Sequence, residues 1–219
     1  MGGKGITKII SIRQRKDTDM KKENNTKGLN GKDLLNVGIF TAVYFVLNLL
    51  VAAVLGMIPA VYMLVPFVSS FLLGIPMMLY FMKIKKFGMV LITYIVYGVL
   101  LTLAGVGIYS LILGIVFALI AELILRSGKY QKINRAIFAF ALASVGANGN
   151  IVCMVLAGAD YFERKAATYG SEYMQLMQSY FEAWWVLPVL MLSAFLGGLL
   201  GGFLGKAVFK KHFVRSGVI

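Results

Sequence analysis

Residues 34–56 read LLNVGIFTAVYFVLNLLVAAVLG, an apolar run interrupted by strongly polar side chains only at Asn36 and Asn48. At about 1.5 Å per residue such a helix reaches beyond 30 Å, the thickness of a bilayer's hydrocarbon core. The run therefore reads as a transmembrane helix. Within it, Gly38 and Ala42 stand four apart, so both fall on one face and leave a shallow notch where another helix can approach closely. The notch is a candidate docking surface, and ordinary packing inside the protein's own bundle fits the same spacing.

Working outward, the segment before this helix is polar. Residues 1–33 hold nine Lys/Arg and four acids with no apolar face, the composition of a disordered basic tail. No hydrophobic stretch follows closely on the first basic residues, so the first helix is expected to be retained rather than cleaved. After the helix, Gly56-Met57-Ile58-Pro59 marks a short turn. The second span, about 60–82, contains Pro66 and Pro76, and a proline in a helix interior removes a hydrogen bond and kinks the helix. From Phe87 to Leu125 the apolar residues run about twice as long as a bilayer needs. The chain must fold back, and Ala104-Gly105-Val106-Gly107 is where glycine permits a tight turn. This predicts spans over 87–103 and 106–125. A fifth follows over 136–157 and a sixth over 184–209, opening on the Trp184-Trp185 pair as an interfacial anchor.

The expected architecture is an all-α integral membrane bundle of six transmembrane helices. Composition agrees: 59% of residues are hydrophobic and 14% charged, more apolar surface than a soluble domain can hide. The net charge of +13 records topology. Twenty of the 22 Lys/Arg lie in the two tails, in the two short basic connections or, for Lys206, in the last turn of the sixth span, whereas Arg164 and Lys165 alone lie in the long polar connection 158–183. By the positive-inside rule both termini are cytoplasmic, including the basic tail 210–219, and the 158–183 loop is extracellular in a multi-pass protein of the cell membrane. The basic clusters also suit anionic lipid headgroups. Because they flank spans and form no separate folded surface, nucleic acid is not an expected partner.

Several activities lack the groups they need. There is no phosphate loop, since Leu200 and Ala207 stand where that motif requires Gly and Ser/Thr around Gly205-Lys206. There is no HExxH and no Ser/His/Asp set. One cysteine, Cys153, and one histidine, His212, build neither a disulfide nor a metal cage. No cofactor, metal or catalytic site is expected, and the chain does not read as an enzyme. Glu122, the one acid inside a span, lies one turn from Arg126, which predicts an interfacial ion pair.

The outer half is richer. Asn48 and Asn148 fall about 18 to 21 Å from the cytoplasmic face, Asn150 lies beyond, and Tyr62, Tyr109 and Ser110 lie near the outer helix ends. Amides are costly in lipid unless hydrogen-bonded, so these side chains should point into the bundle or a cavity. Gly146 and Gly149 beside Asn148 would let a ligand approach backbone. The long connection, helical in part and broken at Gly170, carries Tyr161, Tyr169, Tyr173 and Tyr180. Asn48, Tyr62, Tyr109, Ser110, Asn148, Asn150, Tyr169 and Tyr173 are the candidate substrate-binding residues of an outward pocket roofed by this loop. Interhelical hydrogen bonding fits several of them equally. The last span carries Gly197, Gly198, Gly201, Gly202 and Gly205, two overlapping GxxxG registers suited to packing within the bundle.

The Gly38-xxx-Ala42 notch, the stretch Ala167-Thr168-Tyr169-Gly170-Ser171-Glu172-Tyr173-Met174, the glycine-rich last helix and the terminal Lys211-His212-Phe213 together resemble the Trep_Strep family, substrate-binding (S) components of energy-coupling factor (ECF) transporters. The resemblance implies a subunit of an ABC-type importer that captures a small micronutrient outside and docks on a transmembrane T component carrying two ATPases. Gly38 and Ala42 would be the T-component docking residues, although the family's ideal motif has Ala at both positions. Tyr, Trp and Asn near the outer side suit an aromatic, moderately polar solute. A structural or assembly partner of another transporter, or a membrane-embedded enzyme, are the other classes in view.

Overall fold

The computed structural model describes residues 29–210 apart from Ile84 and Ala157. The expected disorder of the basic tail over residues 1–28 and the terminal Lys211-His212-Phe213 lie outside the described residues. Among those described, the chain is helical and contains no strand. The helices are α1 (Gly31–Leu55), α2 (Pro59–Tyr62), α3 (Val65–Lys83), α4 (Met89–Leu103), α5 (Tyr109–Ser127), α6 (Ile133–Ala147), α7 (Asn150–Leu156), α8 (Ala159–Tyr169), α9 (Ser171–Phe181) and α10 (Val186–Val208). Four of them, α1, α3, α5 and α10, are long and apolar enough to cross a membrane. The pair α6–α7, bent by about 40°, makes a fifth if read as one broken span. At 15 residues, α4 is apolar but shorter.

Local chemistry explains the boundaries. α1 begins inside the segment assigned to the tail, at Gly31, because Asn30 and Asp33 cap it reciprocally. The Asn30 side chain accepts from the Asp33 N–H and the Asp33 carboxylate accepts from the Asn30 N–H, both at 2.9 Å. The second span is not one bent helix. It breaks at Met63-Leu64, and Pro66 falls in the first turn of α3, where its missing N–H costs nothing, so only Pro76 lies in a helix interior. The fold-back at 104–107 has positive φ at Gly105 (74°) and Gly107 (112°), conformations that a β-carbon disfavours.

α10 is the central strut, seated between α3 and α6. Its two glycine registers serve two neighbours. A β-carbon at Gly197 or Gly201 would collide with the carbonyl oxygens of Phe67 or Phe71 on α3, while one at Gly198 or Gly202 would meet Ala141 or Ile137 on α6. Such close backbone approach maximises dispersion where lipid supplies no hydrophobic drive. The Gly38 and Ala42 face behaves oppositely. α1 turns Val37, Thr41, Tyr44 and Asn48 inward, leaves Gly38 and Ala42 exposed, and nothing lies within 4 Å of a β-carbon placed at Gly38. Packing inside the bundle therefore does not explain this notch among the described residues.

The basic side chains gather at one end. Lys86 bridges to Asp33 at 2.7 Å, tying the α3–α4 connection to the start of α1, and Lys206 at the end of α10 reaches Asn134 on α6 at 3.4 Å. At this end Glu122 departs from expectation. Fully buried, it makes no ion pair with Arg126; its carboxylate accepts from the Val90 N–H at 2.7 Å and the Tyr130 hydroxyl at 3.2 Å. Arg126 instead lies over the Phe87 ring, 5.6 Å from its centroid. The N-terminus of α4 presents unpaired N–H groups, and these outcompete a solvated guanidinium for the carboxylate.

Candidate functional site

At the opposite end a cavity of about 460 Å³ is bordered by α1, α4, Tyr62 of α2, α7 and the α8–α9 hairpin. That volume falls in the roughly 300–1,000 Å³ range of small-molecule sites. A recess at the basic end, beside Tyr130 and Lys132, has a volume of about 10 Å³ and no room for a solute.

The cavity is built in tiers. Its floor comes from Asn48 on α1 and Tyr97 on α4, both buried, at 9% and 2% exposure. A tyrosine cluster holds Tyr97 from beneath, its ring edge-on to Tyr44 with centroids 5.1 Å apart, and Tyr94 donates to the Tyr44 hydroxyl at 3.4 Å. Neither the Asn48 amide nor the Tyr97 hydroxyl has a hydrogen-bond partner among the described residues. The walls are apolar: Leu49 and Ala52 of α1, Leu101 of α4, and Met154 of α7. α8 and α9 form the roof with Tyr161, Phe162, Lys165, Tyr169, Tyr173, Met174 and Met177.

The roof is anchored at its edges. Beneath it Phe162, Met174, Met177 and Phe181 pack with Ile151 and Leu190 in an apolar cluster separate from the main core. Gly170, at φ 90°, makes the corner between α8 and α9 and leaves Tyr169 and Tyr173 with ring centroids 6.4 Å apart. The Tyr173 hydroxyl donates to the Gly56 carbonyl at 2.5 Å, and the Lys165 ammonium donates to the Gly105 carbonyl at 3.1 Å. The hairpin is thus latched to the end of α1 and to the α4–α5 turn. Inside, the Asn150 amide donates to the Tyr62 hydroxyl at 3.5 Å. Burial pushes the Tyr161 phenol up to about 12 and raises Tyr173 as well, so these two phenols are neutral hydrogen-bonding groups at physiological pH.

Of the eight candidate binding residues, Asn48, Tyr62, Asn150, Tyr169 and Tyr173 line the cavity. Asn148, Tyr109 and Ser110 do not. Asn148 is buried between α6 and α3, donating to the Ser144 carbonyl at 2.8 Å and to the Ser70 hydroxyl at 3.5 Å. Ser110 and the Tyr109 backbone face Gly149, whose β-carbon would lie 2.7 Å from the Tyr109 carbonyl. Gly146 and Gly149 therefore admit α5, not a ligand. Depth along the chain does not specify direction: the helix breaks between Ala147 and Asn150 and bends by about 40°, so Asn148 faces Ser70 and Ser144 while Asn150 reaches the cavity. Three further side chains with polar groups line the cavity: Tyr97, Tyr161 and Lys165. Tyr161 and Lys165 sit in the polar connection, where the sequence signals Lys165 only as one of two bases opposite the rest, and Tyr97 is a tyrosine inside an apolar run.

Among the described residues no group of His, Cys, Asp and Glu is arranged to hold a metal ion. The cavity lining contains one cation, Lys165, and no carboxylate. This arrangement can enclose and orient a solute of modest size. A family model described as a hypothetical bacterial integral membrane protein (Trep_Strep) matches residues 31–215. The chain belongs to the Trep_Strep family. The match begins at the first residue of α1 and takes in every described helix of this Trep_Strep bundle, cavity and roof included. No curated protein and no solved structure matches the chain.

Proposed function

We propose that this Trep_Strep protein is the membrane-embedded substrate-binding subunit of an ECF-type ABC importer. The observation that carries the reading is the roofed cavity: its floor holds an unpartnered amide and an unpartnered hydroxyl, and its roof is a tyrosine-bearing hairpin fastened by two hydrogen bonds. Both groups stay accessible from the cavity, so a bound solute can pair with them directly in place of solvent. In this reading the chain crosses the membrane six times, α4 and the α6–α7 pair included, with both termini in the cytoplasm and the α8–α9 hairpin outside. Solute enters from the exterior when the latches to Gly56 and Gly105 open, and the hairpin closes over it.

Energy comes from elsewhere. The bundle docks through the open Gly38 and Ala42 notch on a T component carrying two ATPases, whose cycle tips the loaded bundle in the membrane. An exposed small-residue face on an otherwise large-residue helix surface suits such a contact, because it lets a partner backbone come close. Replacing Gly38 and Ala42 together with Leu should abolish both solute uptake and co-purification of the T component, with membrane insertion and thermal unfolding unchanged. Co-purification undiminished in that variant would remove the notch from the mechanism.

A further inference from the structure

We infer that the cavity selects a flat aromatic solute bearing one anionic group, with Lys165 reading the anion at the rim and Asn48 and Tyr97 reading a polar group at the floor; this rests on the solute-capture reading above and narrows it. The charge balance is the first support. Lys165 is the one basic side chain of the lining, and the acids of the hairpin, Asp160, Glu163 and Glu172, are exposed rather than turned into the cavity. An ammonium at the rim of a cavity whose lining holds no carboxylate favours a solute that supplies the opposite charge. It has the donors to do so, since one N–H bonds to the Gly105 carbonyl and an ammonium carries three.

The second support is the floor. Asn48 is about nine-tenths buried and its amide, like the Tyr97 hydroxyl, bonds to no described residue. A hydroxyl or amide on the solute would satisfy both. Distance and shape complete the assignment. Asn48 lies about 12 Å down α1 from Gly56, and Tyr97 about 10 Å down α4 from the turn that holds Lys165, at ~1.5 Å per residue. A two-ring solute with polar groups at opposite ends spans that depth. Between the ends lie tyrosine rings and the thioethers of Met154, Met174 and Met177, surfaces suited to an aromatic face.

The test uses a matched pair of probes, 6-hydroxy-2-naphthoate and 6-hydroxy-2-naphthamide, with the full chain in nanodiscs. Binding is read by calorimetry, beside native mass spectrometry of the chain as purified. The acid should bind about tenfold or more tightly than the amide, the size expected of a hydrogen bond to a charged group. Lys165→Gln also alters one latch and so weakens both probes, but it should weaken the acid by the larger factor and erase the difference, with thermal unfolding close to that of the parent showing that the variant is folded. Asn48→Ala should weaken both probes alike. Equal affinities, or a preference that survives Lys165→Gln, overturn the anion assignment and leave capture intact. If neither probe binds, the solute retained from the cell decides. An aromatic anion upholds the assignment, a neutral or cationic solute overturns the class alone, and no retained solute overturns capture and the class together.

Discussion

Glu122 joins two helices at the basic end of the bundle. Its carboxylate receives the Val90 N–H at the start of α4 and the Tyr130 hydroxyl beyond the end of α5, so it acts as a cap for a helix that it does not belong to. Spacing alone favours the neighbour one turn along its own helix, Arg126, and no sequence distance announces a residue 32 positions away. Glu122→Ala leaves buried donors unpaired and is expected to cost about 1–3 kcal/mol of stability, with Glu122→Gln costing less because an amide oxygen still accepts. Arg126→Ala should change stability by no more than about 0.5 kcal/mol. Reversible unfolding in mixed micelles measures all three. An Arg126→Ala cost as large as that of Glu122→Ala would restore the ion pair.

Two helices carry the same kind of small-residue pattern with opposite outcomes. On α10 the glycines sit against the backbone of α3 and the side chains of α6, whereas on α1 Gly38 has open space beyond it. The pattern was legible in both sequences of residues, and what covers each was not, because a small residue permits close approach without choosing a neighbour. Gly201→Val should therefore destabilise the bundle by about 2 kcal/mol or more, since the new side chain must displace the Phe71 carbonyl. Gly38→Val should stay within about 0.5 kcal/mol. Similar costs at the two positions, measured by the same unfolding assay, would mean that α1 is covered as fully as α10.

Across the whole molecule, charge and cavity lie at opposite ends. Apart from Arg164 and Lys165, the described lysines and arginines cluster where α1 begins and α10 finishes, and the roofed cavity opens where α1 and α4 finish and α5 begins. This separation carries the proposed orientation, with the basic end in the cytoplasm. In a Cys153→Ser background, Ser171→Cys should react with a membrane-impermeant maleimide in intact cells and Lys129→Cys only after the membrane is opened. The reverse pattern would put the cavity inside and end the uptake proposal.

Membrane residence, the main helical runs, the glycine turn at 104–107 and the break at Gly170 follow from the sequence alone. Hydropathy and turn chemistry act between a segment and its solvent or its own backbone, with no need of a distant partner. The tertiary structure decided the rest: that Asn48 and Asn150 meet a cavity while Asn148 is spent between α6 and α3, that Tyr97, Tyr161 and Lys165 belong to the site, and that Glu122 caps α4. A cavity is a gap left where several helices fail to fill space. Which side chains border it depends on how each helix is rotated, and rotation is set by packing between segments far apart in the chain.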